Sequence, residues 1–189
     1  MLVTQSESII ANQIIQLQIR AAGDRDVNKL VEYFGTLSRS SRYNRFMEPD
    51  SNFSRFAFES LVQNRSLDHF MLIAELQQEG RGAVIGEATF APHGRSGRGK
   101  FAVSVSHAWH GRGVGSALLS ALEARAISSG YFELFGETLK TNEPMKGLAR
   151  KAGFELSPSA DWRTTRLDKR LIELPHVATA LYAIDLVGS

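Results

Sequence analysis

Residues 104–119, SVSHAWHGRGVGSALL, constrain this chain more than any other stretch. An alternating segment, residues 101–106, runs straight into HGRGVG, and the chain then becomes a helix whose Val114, Leu118 and Leu122 recur every four residues. Phe101, Val103 and Val105 fall on one face of the preceding strand, and Ala102, Ser104 and Ser106 on the other. Glycines at 111, 113 and 115 let the backbone approach a ligand closely, and the first-turn N–H groups of the helix point at it. The helix dipole adds about half a positive charge at that point, and Arg112 adds a full one. Such a turn suits a pyrophosphate. A P-loop is excluded because GxxxxGKS/T occurs nowhere. A Rossmann-like nucleotide site asks for GxGxxG after the first strand of its domain. Here Ser116 stands where the third glycine belongs, and about four strands come first. That reading stays open as the weakest rival.

The remaining elements arrange themselves around this turn. Residues 13–22 alternate through Ile15, Leu17 and Ile19 as a strand, and Asp24 is placed to cap a helix through Val27, Leu30, Val31 and Phe34. Residues 38–66 are rich in Ser, Arg, Asn and Phe, and the spacing of Phe53, Phe56, Ala57, Ser60 and Leu61 predicts a second short helical region. Apolar runs at 70–76 and 83–90, joined by a glycine-containing turn, form a β-hairpin. The helix after the glycine turn reaches Ser129, with Gly130 as its C′ residue. Residues 131–139 read as a buried strand. A last helix starts near Asn142, turns Met145, Leu148, Ala149 and Ala152 to the core, and ends at Gly153. A further strand covers residues 164–171. The fold class is therefore α/β in the α+β sense: one mixed, mostly antiparallel sheet of six to seven strands flanked by about four helices. At 189 residues the chain reads as one domain, with residues 1–12 a flexible lead-in and 172–189 a C-terminal extension. The apolar tail 177–187 is a candidate sheet-edge cover or homodimer contact.

Composition removes several classes of function. No cysteine is present, which excludes disulfide frameworks, thiolate zinc sites and cysteine nucleophiles and fits a cytoplasmic location. No His/Asp/Glu cluster has metal-ligand spacing, so no metal is expected. No apolar run approaches the ~18–20 residues of a membrane span. The net charge is only +2, too little for a nucleic-acid binder. That charge is unevenly spread: residues 88–122 hold Arg95, Arg98, Lys100 and Arg112 and no Asp or Glu. An acid-free window around the glycine turn matches a small polyanionic ligand.

The spacing Gln/Arg-x-x-Gly-x-Gly/Ala, directly after a strand and opening a helix, resembles the acyl-CoA pyrophosphate loop of the GNAT superfamily of N-acyltransferases. The order of elements from about residue 15 to 171 matches as well, and Gly153-Phe154 stands where that family often has Gly-Phe. LSRSSRYNRF (residues 37–46) is similar to bacterial protein-lysine acetyltransferase domains and their stand-alone relatives. The resemblance implies transfer of an acyl group, most simply acetyl from acetyl-CoA, to a primary amine by direct attack in a ternary complex. It implies that the main chain of Val103, Ser104 and Val105 binds the pantetheine arm and that His110, Gly111, Arg112, Gly113, Val114, Gly115 and Ser116 hold the pyrophosphate. Asn142 matches an asparagine beside the pantetheine arm, and Tyr43, Phe46 and Phe53 fall in a segment that walls the acceptor site.

The match has departures. His110 occupies the loop position usually held by Gln or Arg, Ala149 stands where many members carry an acidic tyrosine, and Lys100 stands where lysine-acetyltransferase relatives often have a glutamate. An amine must lose a proton to attack. Glu87 and Glu137 are the candidate bases, with His107 a titratable neighbour. The missing acid and base also motivate an alternative, a non-catalytic acyl-CoA-binding or sensing domain.

Overall fold

The alternation at residues 15–19 belongs to β2 (Gln13–Ala21), and its neighbours follow in chain order: α1 (Val27–Thr36), α2 (Arg39–Phe46), β3 (Phe70–Gln78), β4 (Arg81–Pro92) and β5 (Arg98–Val105). Then come α3 (Val114–Ser128), β6 (Glu133–Leu139), α4 (Glu143–Lys151), β7 (Glu155–Pro158) and β8 (Thr164–Arg170). The structure, a computed structural model, describes residues 4–10, 13–47, 69–78 and 81–171. The proposed helical region at residues 53–61 and the apolar tail lie outside the described residues. Among the described residues no helix is long and apolar enough to cross a membrane.

One sheet runs β1-β2-β3-β4-β5-β6-β8-β7, and every neighbouring pair is antiparallel except β5–β6. Among the described residues it has eight strands, two of which the sequence did not disclose. β1 (Thr4–Ile10) pairs along β2 from Thr4↔Ile19 to Ile10↔Gln13. The short β7 was also unexpected; it pairs only with β8, at the opposite edge. Six antiparallel pairings leave no room for the doubly wound parallel sheet of a Rossmann domain.

The two faces are covered by different helices. On one, Val27, Leu30, Tyr33, Phe34 and Leu37 pack with Met71, Ile73 and Val84. On the other, Val114, Leu118, Leu119, Leu122 and Ala126 of α3 pack with Ile85, Ala88, Phe90 and Phe101. Strand alternation separates the faces: Glu87, Thr89, Ala102 and Ser104 look toward α1 and α2, while Val103 and Val105 look toward α3. Between β5 and β4 a close approach is built in. A Cβ on Gly99 would sit 1.9 Å from the Phe90 ring.

Asp24 does not cap α1. Residues Asp24–Asp26 form a 3₁₀ turn, and it is Asp26 that accepts the Gly23 N–H at 2.8 Å. Arg20 of β2 explains the change, because it grips both Asp26 carboxylate oxygens at 2.7 Å and holds the side chain back toward the sheet. The same guanidinium reaches buried Glu75 at 2.9 Å, which Lys29 also contacts. Burial pushes both carboxyls up, but the hydrogen bonds from Arg20, the Gly23 amide and Lys29 outweigh it and hold them below their ordinary 3.8 and 4.5.

A carboxyl lowered in the folded state contributes stability that is complete above its unfolded value and lost as pH falls through the folded one. The thermal midpoint is therefore flat from neutrality to about pH 5 and falls steeply below about pH 4. In Asp26→Asn the neutral-pH midpoint drops and the acid slope becomes shallower, measured by thermal melts across pH.

Candidate functional site

Strands β5 and β6 part. They pair in parallel over only three residues, Arg98↔Glu133, Gly99↔Leu134 and Lys100↔Phe135. Past that point β5 stays bonded to β4 as far as Gly86↔Val105, while β6 stays bonded to β8 as far as Leu139↔Thr164. Phe101 marks the fork. Its ring packs against Phe154 (centroids 4.8 Å) and lies so close to Gly136 that a Cβ there would meet it at 3.0 Å. The divergent edges enclose a cleft of about 460 Å³ lined by residues 101–105 of β5, by Gly136, Glu137 and Thr138 of β6, and by parts of α2, α3 and α4.

The glycine turn forms one wall. Gly111 and Gly113 have φ of +72° and +85°, the left-handed region that glycine enters without penalty. Gly113 is the N-cap of α3 and offers no side chain to the first-turn amides, so those N–H groups are left for a ligand. His110, Gly111, Gly113, Val114, Gly115 and Ser116 all line the cleft. Arg112 is exposed with its guanidinium 5.1 Å over Trp109. His110 Nε2 lies 2.9 Å from the Val105 carbonyl; since a carbonyl only accepts, Nε2 is the donor, and this bond ties the loop to β5. His107, expected as a titratable neighbour, stacks edgewise on His110 at 5.1 Å. Asn142 is the N-cap of α4. Its Oδ1 accepts from the Met145 N–H at 3.2 Å and its Nδ2 donates to Thr138 Oγ1 at 3.0 Å, leaving one amide hydrogen for a ligand.

The two candidate bases stand differently. Glu137 is exposed, lines the cleft, and accepts a hydrogen bond from Ser159. Glu87 is fully buried and does not line the cleft. Its carboxylate takes the Arg45 guanidinium (2.7 and 3.2 Å) and the Ser104 hydroxyl (2.6 Å). Ala149 is buried in the core with no hydroxyl to offer, and Lys100 is exposed. Among the described residues no cluster of His, Asp and Glu is arranged to hold a metal ion.

The segment expected to wall the acceptor site does so, but through other residues than Tyr43 and Phe46. Ser41, Asn44 and Arg45 line the cleft, yet the Ser/Arg stretch reads as a solvated helix end. The available signal was Ser38, which caps α2 by accepting the Ser41 N–H at 3.1 Å. Of the wall expected from Tyr43, Phe46 and Phe53, Phe46 packs on Phe34 (5.4 Å), and Phe53 lies outside the described residues. Trp162, by contrast, is 79% exposed.

The chain matches the model of the Acetyltransferase (GNAT) family over residues 33–154. The GNAT domain of S. lividans PAT superposes with a TM-score of 0.74 at 22% identity, covering 88% of this chain and 96% of that one. Also similar is yncA from Salmonella typhimurium, solved with its cofactor acetyl-CoA (TM-score 0.67, 20% identity, 83% and 95% covered). The ribosomal-protein-alanine N-acetyltransferase from Brucella melitensis aligns at TM-score 0.65 and 22% identity over 80% and 98%.

Two glycines on the cleft respond oppositely to alanine. Gly113→Ala, with open space around it but a φ of +85°, costs about 1–2 kcal/mol because an L side chain resists the left-handed region. Gly147→Ala, inside α4 with nothing within 4 Å, gains up to about 1 kcal/mol of helix propensity. Denaturant melts of the two variants check both signs.

Proposed function

The chain belongs to the GNAT acetyltransferase family, and from that premise we propose that it transfers an acyl group, acetyl in the simplest case, from acyl-CoA to a primary amine within the β5–β6 cleft. The observation that carries this reading is the parting of β5 and β6 beside a helix start with no side-chain cap. An open strand edge and a ring of free amides are what a pantetheine arm ending in a pyrophosphate needs.

A bound acyl-CoA supplies the thioester, and this chain supplies position and charge. The β5 main chain at Val103, Ser104 and Val105 pairs with the pantetheine arm as an added strand, with Asn142 at its side. The amides of Gly113, Val114, Gly115 and Ser116 take the pyrophosphate, with Gly111, Arg112 and the tethered His110 alongside. A β5 amide polarises the thioester carbonyl; one such donor contributes about 2.7–4 kcal/mol in other enzymes. The amine enters from the α2 face, opposite α3, so nucleophile and thioester meet through the gap in the sheet. Glu137, the carboxylate on the cleft wall, accepts the proton that the amine gives up. Its nitrogen then bonds to the carbonyl carbon, the C–S bond breaks, and the thiolate leaves. With Ala149 in place of an acid, the second proton, lost from the nitrogen as the amide forms, reaches that thiolate through water, and Glu137 then releases the first to solvent. A cysteine-free chain that uses acyl-CoA is in keeping with a cytoplasmic place of action.

A second reading has one observation in its favour. Ala149, buried and without a hydroxyl, leaves the leaving group unassisted, as a domain that binds acyl-CoA without transferring from it could tolerate.

Calorimetry separates cofactor classes: acetyl-CoA binds and NAD does not. Affinity falls with added salt and in Arg112→Ala, because exposed charge contacts are screened. A thiol-release assay over N-α-acetyl-lysine amide, spermidine, an alanine-initiated peptide and lysine peptides then separates transferase from binder. Turnover with one of these supports the enzyme; tight acetyl-CoA binding with no release from any supports the second reading. In the active pairing, Glu137→Gln loses about 10²–10⁴-fold in turnover, the range of a general base, with acetyl-CoA affinity kept. Full turnover in that variant removes Glu137 from the role.

A further inference from the structure

Arg45 of the cleft wall and the buried Glu87 form a pair that the proposed proton transfer does not use. Helix α2 has no fully buried residue, so a strip of apolar packing does not hold it in place. It is fastened by its last two residues. Phe46 packs on Phe34, and Arg45 reaches into the sheet, where its side chain is 12% exposed. Arg45 Nε donates to Glu87 Oε1 at 2.7 Å, and Nη2 donates to Glu87 Oε2 at 3.2 Å and to Thr89 Oγ1 at 3.0 Å. Glu87 sits opposite Ser104 in the β4–β5 register and takes that hydroxyl at 2.6 Å. Ser104 has one hydrogen and gives it to the carboxylate, so the Tyr33 hydroxyl, 2.9 Å away, must donate to Ser104 Oγ. Burial and the nearby Glu87 charge push the Tyr33 phenol up, so it stays a donor. One continuous chain, Tyr33 to Ser104 to Glu87 to Arg45, thus joins α1, β5, β4 and α2.

We propose that Arg45 and Glu87 are positioning residues for the amine acceptor: their bidentate pair sets the distance between α2, which presents Ser41 and Asn44 to the cleft, and the β5 strand that carries Ser104. The inference rests on the acyl-transfer reading. Glu87 acts through its partners and is not the base, since its oxygens are already accepting from a guanidinium and a hydroxyl. The geometry also neutralises Arg45. A lone guanidinium on that wall would repel an incoming ammonium group, and the Glu87 charge 2.7 Å away offsets it.

The test uses the full chain, acetyl-CoA and N-α-acetyl-lysine amide, or the fastest amine of the panel above. Glu87→Gln leaves Arg45 charged and uncompensated. Its expected signature is a kcat/KM for the amine lower by about tenfold to a hundredfold, the scale of a misplacement of ~1 Å, while the calorimetric Kd of acetyl-CoA stays within about twofold. Arg45→Lys keeps the charge but not the fork, and its own loss in amine kcat/KM is smaller than that of Glu87→Gln. Arg45→Met strands a buried carboxylate and endangers folding, so the double variant Arg45→Met/Glu87→Met is the control; removing both charges returns the thermal midpoint toward wild type. If amine kcat/KM stays low in that double variant with the midpoint recovered, positioning is supported. Full recovery of turnover together with the midpoint would show a purely structural pair and overturn the proposal. So would equal losses in amine kcat/KM and acetyl-CoA affinity. Wild-type protein that binds acetyl-CoA but acts on no amine overturns the transferase reading, and this inference with it; an active wild type with unchanged Glu87→Gln kinetics overturns the inference alone.

Discussion

Three residue pairs of parallel β-structure, and no more, join the two halves of this sheet. Everything else about the molecule depends on that shortness. Had β5 and β6 continued to pair past Lys100↔Phe135, the edge of β5 would be consumed by β6 and the cleft would close. Phe101 enforces the stop. Its ring lies against Phe154 on one side and over Gly136 on the other, where only a residue without a Cβ leaves it room. A buried aromatic at the fork therefore trades strand hydrogen bonds for a cleft whose walls are two strand edges.

The second constraint is that the cleft is reached from two faces of one sheet. Alternation turns Val103 and Val105 toward α3 and the glycine turn, and Ala102 and Ser104 toward α1 and α2. The first face is apolar and held by packing. The second has its own apolar core under α1 and adds buried charge: Arg20 with Asp26 and Glu75, and Arg45 with Glu87. Buried ion pairs contribute little net stability and are costly to break. They give directional contacts, which an apolar interface lacks. At the α2 face we read the directional contact as setting where a short helix with no fully buried residue stands relative to the strand beside it.

Much of the chemistry was legible in one dimension because it is local. The strand, the three alternate glycines and the helix with a four-residue apolar repeat are neighbours in the chain, and they appear in the structure with Gly113 capping α3 at a left-handed φ. The same holds for Asn142, Pro144 and Gly153, which punctuate α4 where their backbone preferences place them. Charge was harder to read. The acid-free window of residues 88–122 counts Arg98 toward an anion site, yet Arg98 is paired with Glu133 at 2.7 Å and approaches Asp168, both distant in sequence. Arg112 is the member of that set that belongs to the glycine turn.

Local sequence by itself determined the identity of the hairpin, the glycine turn and the helices that follow, because turn chemistry, capping and apolar period act over a few residues. It also narrowed the ligand class, since uncapped amides next to an arginine favour an anion. Tertiary structure alone decided the rest. It converted Asp24 from an expected cap into part of a 3₁₀ turn, because Arg20 captured Asp26 from the neighbouring strand. It made α2 a wall of the cleft through a guanidinium that finds its partner 42 residues away. Of the two candidate glutamates, one on β4 and one on β6, it buried Glu87 and left Glu137 on the open wall. The reason is the same in each case: a strand residue's partner is set by register across the sheet, and register depends on segments far apart in the chain.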